Sequence, residues 1–311
     1  MGRRNLLLCF DAFGTLFTPK QPIAEQYTLV ARKCGLDGFS VDQVKSSFKT
    51  AFSKESKAHP NYGKASGMGA AMWWTHVINN TFRPLLLSNQ KLPTDLPTRL
   101  LHCFSSSEGY TLSPGITSFL RNLKNQHHPR DSSQPHVIIG VITNSDDRVP
   151  AILTSLGLRV SPFRAGSPTT KLDKVGGKEY DIDVHCMSYD VGVAKPDRRI
   201  FDAAVDMADQ LVVVENGGSR GDEGASSWLK LYVGDEYEKD VVGAREAGWH
   251  SVFVGKKEDI PDEEKALELG ECQAAAVEEV FREGEPPRTI RAESTQSFIQ
   301  WLSEKYKGGQ Y

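Results

Sequence analysis

The sequence predicts an α/β protein: a Rossmann-like, doubly wound parallel sheet with an inserted all-helical cap domain. Three observations lead to this prediction. Short apolar runs without polar alternation are typical of strands that are buried on both faces of a sheet. Segments with helical spacing separate these runs, and such alternation favours parallel strands with right-handed crossovers. One long stretch, residues 21–110, shows helical spacing alone.

The strands and helices of the predicted core alternate along the chain. The predicted strands are residues 5–10, 137–142, 183–188, 229–233 and 251–254, of which 183–188 has the weakest pattern. The predicted helices are residues 115–123, 148–156, 197–207 and 238–247. Each strand run is short, and residues 137–142 and 251–254 are rich in β-branched or aromatic residues, which favours a strand over a buried helix.

Residues 21–110 are predicted to form the cap. Apolar residues recur there at helical spacing, for example from Ile23 through Tyr27 to Ala31, and Gly35 is a natural helix stop. Because α/β sheets bind ligands at the carboxyl ends of their strands, an insert that leaves after the first strand is expected to cover the site. The predicted domains are therefore a core of residues 1–20 and 111–311 and a cap of residues 21–110.

The remaining segments are predicted to lie at the surface or to follow the core. Residues 127–134 and 161–178 are polar, and residues 215–227 (ENGGSRGDEGASS) are predicted to form a Gly- and Ser-rich loop. Residues 261–288 are rich in Glu and predict an exposed helix before a Pro-Pro break. Residues 294–306 predict a final amphipathic helix.

Composition excludes several classes of protein. The 311 residues include 37 basic and 40 acidic side chains, and a net charge of −3 argues against a nucleic-acid binder. The apolar run near the start ends at Asp11, which is too short for a membrane span. The five cysteines form no Cys-x-x-Cys pair, so we expect a reduced, cytoplasmic protein, with the nucleus left open, and no disulfide framework or structural zinc.

The first motif with chemical meaning is residues 10–16, FDAFGTL. Asp11 ends an apolar strand there, and Gly14 and Thr15 follow it. A carboxylate in this position lies at the carboxyl edge of the sheet, and Gly14 permits a tight turn of the backbone. Taken alone, an acid after a strand is also typical of an ordinary capped turn.

The next two motifs place polar and cationic groups at strand ends. One predicted strand ends in Thr143 and Asn144, whose hydroxyl and amide can bind an anion. Lys195 is followed by Pro196, which favours an extended lysine just before a helix, with its ammonium directed at the same edge of the sheet. Each motif alone also fits a side-chain turn or a solvated lysine.

The fourth motif supplies two more carboxylates. Residues 231–240, LYVGDEYEKD, place Asp235 at the end of a strand and Asp240 in the first turn of the following helix. Carboxylate and carbonyl oxygens are the ligands that Mg²⁺ prefers. Four such motifs at four strand ends, in this order, predict one common site.

The ordered set Asp-x-x-Gly-Thr, Thr-Asn, Lys-Pro and Gly-Asp-x-x-x-x-Asp resembles the haloacid dehalogenase superfamily of hydrolases. The match spans nearly the whole chain, and the insert lies where the helical-cap subclass carries its cap. Within the cap, residues 59–63 (HPNYG) and the pair Trp73-Trp74 resemble a narrower subgroup, named for haloacid dehalogenase-like hydrolase domain-containing protein 3. Trp73, Trp74 and Phe82 also fit an ordinary helical core.

The resemblance implies a role for each motif residue. Asp11 is the expected nucleophile, and it forms a covalent aspartyl intermediate. Mg²⁺ is the expected cofactor, held by Asp11, Asp235 and the backbone carbonyl of Phe13, while Asp240 binds it through water or orients Lys195. The implied catalytic residues are Asp11, Thr143 and Lys195. The implied phosphate-binding residues are Thr143, Asn144, Lys195, Gly14 and Thr15. The implied metal-binding residues are Asp11, Phe13, Asp235 and Asp240.

The sequence departs from the superfamily's phosphatases at Phe13, where those enzymes carry a second Asp as general acid and base. General acid–base catalysis contributes typically about 10²–10⁴-fold in rate. We therefore expect a slow phosphatase, one that uses another acid, or one that needs a good leaving group. The expected substrate is a small phosphorylated compound, with no nucleic acid or membrane partner.

Two alternatives remain open from the sequence. An aromatic residue at Phe13 is similar to the first motif of 2-haloacid dehalogenases, which displace halide from carbon without a metal. Asp235 argues against that alternative, because an unneutralised carboxylate beside Asp11 would raise a carboxyl pKa and weaken the nucleophile. The second alternative is a catalytically weak protein that binds a metabolite or a partner, which the loss of the acid–base residue favours and the retention of Asp11 disfavours.

Overall fold

A computed structural model describes residues 5–126, 136–167, 180–215, 228–262, 264–272, 277–282 and 285–305. The predicted surface segment 127–134, residues 168–178 of the segment 161–178, and residues 216–227 of the segment 215–227 lie outside the described residues. Within the described residues 161–167, Ser161 and Phe163 are buried, so the surface prediction is wrong there. The chain divides into two compact units. An α/β unit comprises Met1–Thr18, Leu112–Asn144 and Gly157–Tyr311, and a helical unit comprises Pro19–Thr111 and Ser145–Leu156.

Nine strands are present in the described part of the chain. They are β1 (Asn5–Phe10), β2 (Phe17–Pro19), β3 (Tyr110–Leu112), β4 (Val137–Thr143), β5 (Val184–Met187), β6 (Trp228–Gly234), β7 (His250–Val254), β8 (Leu267–Glu268) and β9 (Thr289–Ala292). Seven of them form one sheet in the order β5-β4-β1-β6-β7-β9-β8, and every neighbouring pair is parallel. The other two, β2 and β3, pair with each other.

Helices follow most strands of the sheet, as the alternation of patterns predicts. The described helices are α1 (Ile23–Lys33), α2 (Val41–Ala58), α3 (Ala70–Phe82), α4 (Leu96–Cys103), α5 (Ile116–Gln126), α6 (Val149–Ser155), α7 (Ser188–Val191), α8 (Arg198–Glu215), α9 (Gly243–Glu246), α10 (Val277–Val280) and α11 (Thr295–Lys305). A π-helical turn, Tyr237–Val242, leads into α9. The predicted Rossmann-like α/β fold is confirmed.

The central strands owe their position to their apolar sequences. All seven residues of β4 are buried, and in β1 only Asn5 is partly exposed. Strands that are buried on both faces need apolar side chains in both directions, which explains the absence of alternation. The five predicted strands are confirmed as β1, β4, β5, β6 and β7, each within one or two residues at either end.

The exposed helix predicted over residues 261–288 is wrong. That segment instead contains β8, a 3₁₀ turn at Leu269–Cys272 and the single helical turn α10, and β9 follows it. Val277 and Phe281 are fully buried there, and β9 pairs with β7 and β8. Strands of two to four residues carry too short a pattern to detect. Pairing decides their conformation, because β9 pairs with β7 and β8 pairs with β9. The predicted final helix is confirmed as α11.

The helical unit contains α1–α4 and α6. Its buried side chains are mostly large and apolar, including Tyr27, Val44, Trp73, Val77, Phe82, Leu96 and Leu100. Ser40 begins α2 in a reciprocal capping arrangement with Gln43. The unit includes α6, which lies outside the range predicted for the cap. Across the described residues, we find no helix with the length and apolar character that crossing a membrane requires.

Candidate active site

The predicted site residues of the α/β unit lie at the carboxyl ends of adjacent parallel strands. Asp11 directly follows β1, and its backbone N–H donates to the carbonyl of Val233 in β6 at 2.8 Å. Thr143 ends β4, and Asp235 directly follows β6. Because β4, β1 and β6 are neighbours with the same direction, their ends meet at one edge of the sheet.

Lys195 is brought to the same edge from the loop before α8. The side chain is buried, and Nζ lies 3.0 Å from Asp11 Oδ1, 2.6 Å from Asp240 Oδ1 and 2.7 Å from the hydroxyl of Tyr232. Burial disfavours the charged ammonium, but the negative charges of Asp11 and Asp240 outweigh it and raise the pKa of Lys195. The side chain is therefore a buried cation directed at the predicted nucleophile.

Asn144 holds the backbone of Lys195. The amide oxygen of Asn144 accepts from the backbone N–H of Lys195 at 2.6 Å, and the amide nitrogen donates to the Lys195 carbonyl at 3.0 Å. The family resemblance predicts that this amide binds phosphate. Because both of its polar atoms are engaged with the lysine loop, its contacts favour a role in fixing that loop, whose Lys195–Pro196 peptide bond is cis.

Three carboxylates form a cluster at this edge. One oxygen atom from each of Asp11, Asp235 and Asp240 lies within 4.8 Å of the others. Burial, followed by the charge of Asp11, raises the pKa of Asp235 to about 6. Lys195 is the one cation that contacts this cluster in the described part of the chain. Crowded carboxylates in excess of the neighbouring positive charge are what a divalent cation relieves, so the residues fit a Mg²⁺ ion.

Asp240 is more fully engaged than the other two acids. Its Oδ1 accepts from Lys195, and its Oδ2 accepts from the backbone N–H of Glu236 at 2.8 Å. Burial raises the pKa of Asp240, while the charge of Lys195 opposes that rise. A Cβ atom on Gly234 would lie 2.3 Å from Asp240 Cγ, so glycine is required for this close approach. These contacts favour orientation of Lys195 over direct metal binding.

Thr15 supports Asp235 through its side chain. Its hydroxyl is buried and donates to Asp235 Oδ1 at 3.0 Å. Its carbonyl accepts from the hydroxyls of Ser113, at 2.6 Å, and Thr295, at 3.0 Å, which fixes the loop after β1. Any contact between Thr15 and a phosphoryl group would therefore come from its backbone N–H.

Phe13 lies two residues after Asp11, at the position where the family resemblance implies a general acid in phosphatases. It is partly buried and meets the ring of Phe17 edge-on, with centroids 4.7 Å apart. The ring has no ionisable proton, so this side chain cannot act as a general acid or base.

Tyr232 also lies among these residues, and no sequence motif predicted it. Its hydroxyl is fully buried and contacts Lys195, Asp240 and the carbonyl of Ile142. Burial, reinforced by the charges of Asp240 and Asp11, raises the pKa of Tyr232 well above its usual value, which keeps the phenol neutral. The sequence could have indicated this residue, because a tyrosine in a strand that is buried on both faces needs a hydrogen-bond partner for its hydroxyl.

Fold and site together define an α/β protein with a carboxylate cluster and a buried lysine at the carboxyl edge of a parallel sheet. A family model described as haloacid dehalogenase-like hydrolase matches residues 6–248, which include all four motifs. The chain therefore belongs to the haloacid dehalogenase-like hydrolase family.

Several known proteins resemble the chain. An uncharacterized hydrolase from Schizosaccharomyces pombe is 30% identical over 251 residues, covering 81% of this chain and 91% of that protein. Haloacid dehalogenase-like hydrolase domain-containing protein 3 from Danio rerio is 26% identical over 271 residues, covering 85% and 93%. The crystal structure of 2-haloacid dehalogenase from Pseudomonas syringae pv. tomato has a TM-score of 0.51 at 15% identity, covering 96% and 99%, and shares the fold.

Proposed function

We propose that the protein is a Mg²⁺-dependent phosphatase that hydrolyses a small phosphorylated compound through an aspartyl-phosphate on Asp11. The observation that carries the proposal is the position of Asp235 beside Asp11. Burial and the charge of Asp11 raise the pKa of the Asp235 carboxyl to about 6. Lys195 supplies one positive charge against three carboxylates, so Asp235 hinders the anionic nucleophile unless a further cation is present. The acid is therefore better explained by a metal-dependent reaction than by a metal-free one.

The first step is attack by an Asp11 carboxylate oxygen on phosphorus. The new O–P bond forms as the bond from phosphorus to the leaving oxygen breaks, so the phosphoryl group moves to Asp11. Lys195 lies next to the nucleophile, and its ammonium can follow the negative charge from Asp11 onto the phosphoryl oxygens. The leaving oxygen takes a proton from water, because Phe13 has none to give.

The second step is hydrolysis of the aspartyl-phosphate. A water oxygen attacks phosphorus, the bond from phosphorus to Asp11 breaks, and inorganic phosphate leaves with the carboxylate regenerated. The water proton passes to solvent or to the phosphate. Both steps lack a side chain at position 13 that could transfer a proton, which predicts slow turnover and a preference for good leaving groups.

Asp11 and Asp235 are the residues that would hold Mg²⁺, with Thr15 fixing Asp235 through its hydroxyl. When bound, the ion supplies positive charge that neutralises the phosphoryl oxygens and the two acids. Asp240 and Asn144 act on the site through Lys195, by fixing its ammonium and its backbone. Thr143, buried at the end of β4, stays a predicted phosphate ligand.

The test is phosphate release from p-nitrophenyl phosphate and from a panel of phosphometabolites, with Mg²⁺ or with EDTA. Asp11→Asn removes the nucleophilic carboxylate, and Asp37→Asn, at an exposed site in the helical unit, is the matched control. We expect release that requires both Mg²⁺ and Asp11 and that Asp37→Asn leaves intact. Release that persists in EDTA or in Asp11→Asn, or no release from any substrate, would contradict the proposal.

A metal-independent 2-haloacid dehalogenase is the second candidate, and Phe13 is the observation that favours it. Displacement of halide from carbon needs no proton on the leaving group. That reaction therefore needs no general acid at position 13, and an aromatic residue there is compatible with it. Halide release from 2-haloacids in EDTA, lost in Asp11→Asn, would support this candidate. Binding of phosphometabolites without turnover would instead support a binding protein.

A further inference from the structure

The ammonium group of Lys195 has three hydrogens, and three oxygen atoms surround it in the described part of the chain. Asp240 Oδ1 at 2.6 Å and the Tyr232 hydroxyl at 2.7 Å accept hydrogen bonds, and Asp11 Oδ1 lies at 3.0 Å. Two of these partners are anionic members of the carboxylate cluster. The third is a neutral phenol, and neither the four sequence motifs nor the proposed chemistry assigns it a role.

The Tyr232 hydroxyl is oriented so that it accepts from Lys195. A phenol has one hydrogen, and the carbonyl of Ile142 lies 2.7 Å from the hydroxyl, against 3.3 Å for Asp240 Oδ1. The shorter contact takes the hydrogen, which leaves a lone pair for the ammonium. The hydroxyl thus links Lys195 to the end of β4, one residue before Thr143.

The ring of Tyr232 is held rigidly. Its strand, β6, is central in the sheet, and its backbone pairs with Cys9 on one side and Ser251 on the other. The ring of Phe201, from α8, meets it edge-on with centroids 5.2 Å apart and an interplanar angle of 83°. A hydroxyl on a fixed ring is a stationary acceptor, unlike a flexible side chain or water.

We propose that Tyr232 is a positioning residue that fixes the Lys195 ammonium between Asp11 and Asp240, an inference that rests on the proposed phosphatase function. When Asp11 attacks phosphorus, its negative charge moves onto the phosphoryl group, and the Lys195 hydrogen nearest Asp11 is the one free to follow. The hydrogen bonds to Tyr232 and Asp240 remain and hold the nitrogen in place. Without the phenol, a buried N–H loses its acceptor and the ammonium moves toward the carboxylates.

Kinetics of Tyr232→Phe test the catalytic consequence. Phenylalanine keeps the ring that packs on Phe201, so the variant is expected to fold, and thermal unfolding checks this. Loss of one hydrogen bond to a charged group predicts a fall in kcat of roughly tenfold on p-nitrophenyl phosphate, with KM unchanged within about twofold. The matched control is Tyr27→Phe, at a buried tyrosine of the helical unit, which we expect to leave both constants unchanged. An unchanged kcat, or a change in KM alone, would overturn the inference.

A measurement that needs no turnover separates this inference from the proposed function. Proton–nitrogen correlation spectra detect lysine ammonium groups that are buried and hydrogen-bonded, because their protons exchange slowly with water. We expect a Lys195 signal, assigned by its loss in Lys195→Arg, that shifts or broadens beyond detection in Tyr232→Phe and persists in Tyr27→Phe. No Lys195 signal in the unmodified protein, or an unchanged signal in Tyr232→Phe, would overturn the inference. If the unmodified protein releases no phosphate, the proposed function fails, and these spectra still decide the role of Tyr232.

Discussion

Gly14 lies so close to Asp235 that a Cβ atom at position 14 would stand 2.1 Å from Asp235 Oδ2. The backbone of Gly14 also has a φ of 81°, in the left-handed region that residues with side chains rarely adopt. Two separate constraints therefore require glycine here. One is the turn that follows the nucleophile, and the other is the space that the second carboxylate occupies.

Gly14→Ala is expected to displace Asp235 and abolish the response to Mg²⁺. The matched control is Gly35→Ala, because Gly35 has a φ of 85° with open space around its Cβ position. Both variants should lose about 1–2 kcal/mol of stability from backbone strain. Only Gly14→Ala should lose phosphate release and the rise in Tm with Mg²⁺, as measured by calorimetry. Equal retention of both properties in the two variants would contradict the role of Gly14.

Stabilisation by Mg²⁺ is expected to depend on pH through Asp235. The folded pKa of about 6 lies above the ordinary value of 3.8. Without metal, this group therefore favours the folded state below pH 3.8, and that contribution is lost as the pH rises through 6. Mg²⁺ needs the ionised carboxylate, so it should raise Tm more at pH 7.5 than at pH 5. Asp235→Asn should remove the difference, and an equal Mg²⁺ effect at both pH values in the unmodified protein would count against this site.

Because His185 in β5 is buried, we expect the protein to become less stable in acid. The ring is fully buried, with Nε2 2.9 Å from the carbonyl of Ser161, and burial lowers its pKa to about 4. Stability from the neutral ring is present above pH 6.5 and is lost as the pH falls toward 4, by up to about 3 kcal/mol. Urea unfolding of His185→Gln at pH 7 and pH 4.5 should show a smaller pH effect than the unmodified protein. The exposed His102, changed to Gln, is the control and should show the full effect.

Phe13→Asp is expected to add the missing proton donor. Alkyl phosphates need a proton on the leaving oxygen far more than aryl phosphates do, so hydrolysis of alkyl phosphates should rise on the order of 10²-fold relative to p-nitrophenyl phosphate. Phe13→Asn removes the ring without supplying an acid, and it should leave the ratio unchanged. An identical ratio in Phe13→Asp and Phe13→Asn would show that the absent acid is not what limits turnover.

In the helical unit, Trp74 and Asp146 are expected to be energetically coupled. The indole N–H donates to Asp146 Oδ2 at 2.6 Å, and Asp146 is fully buried and paired with Arg148. A double-mutant cycle with Trp74→Phe and Asp146→Asn should give a coupling of about 1–3 kcal/mol in urea unfolding. Additive effects of the two substitutions would show that the contact contributes nothing to stability.

Local sequence patterns were sufficient to predict the central strands of the sheet, but not the short strands near the carboxyl-terminal end. The apolar runs of β1 and β4 are long enough to identify, because burial on both faces selects apolar residues in both directions. The short strands β8 and β9 are not, because the conformation of β9 depends on its pairing with β7 and that of β8 on its pairing with β9. The Glu-rich composition of residues 261–288 indicates an exposed segment, but Val277 and Phe281 within it are buried in the core.

The sequence by itself determined the family, the order of the motifs along the chain, and the candidates Asp11, Thr143, Lys195 and Asp235. Those residues are specified by local features: an acid after a strand, a lysine before a proline, a glycine beside an acid. Only the tertiary structure decided which hydrogen-bond partners the residues around the site have. It engages Asn144 with the lysine backbone, Thr15 with Asp235, and Tyr232 with the ammonium of Lys195. The physical reason is that a hydrogen bond depends on distance and angle between atoms that the fold brings together from separate strands, and spacing along one chain does not contain that information.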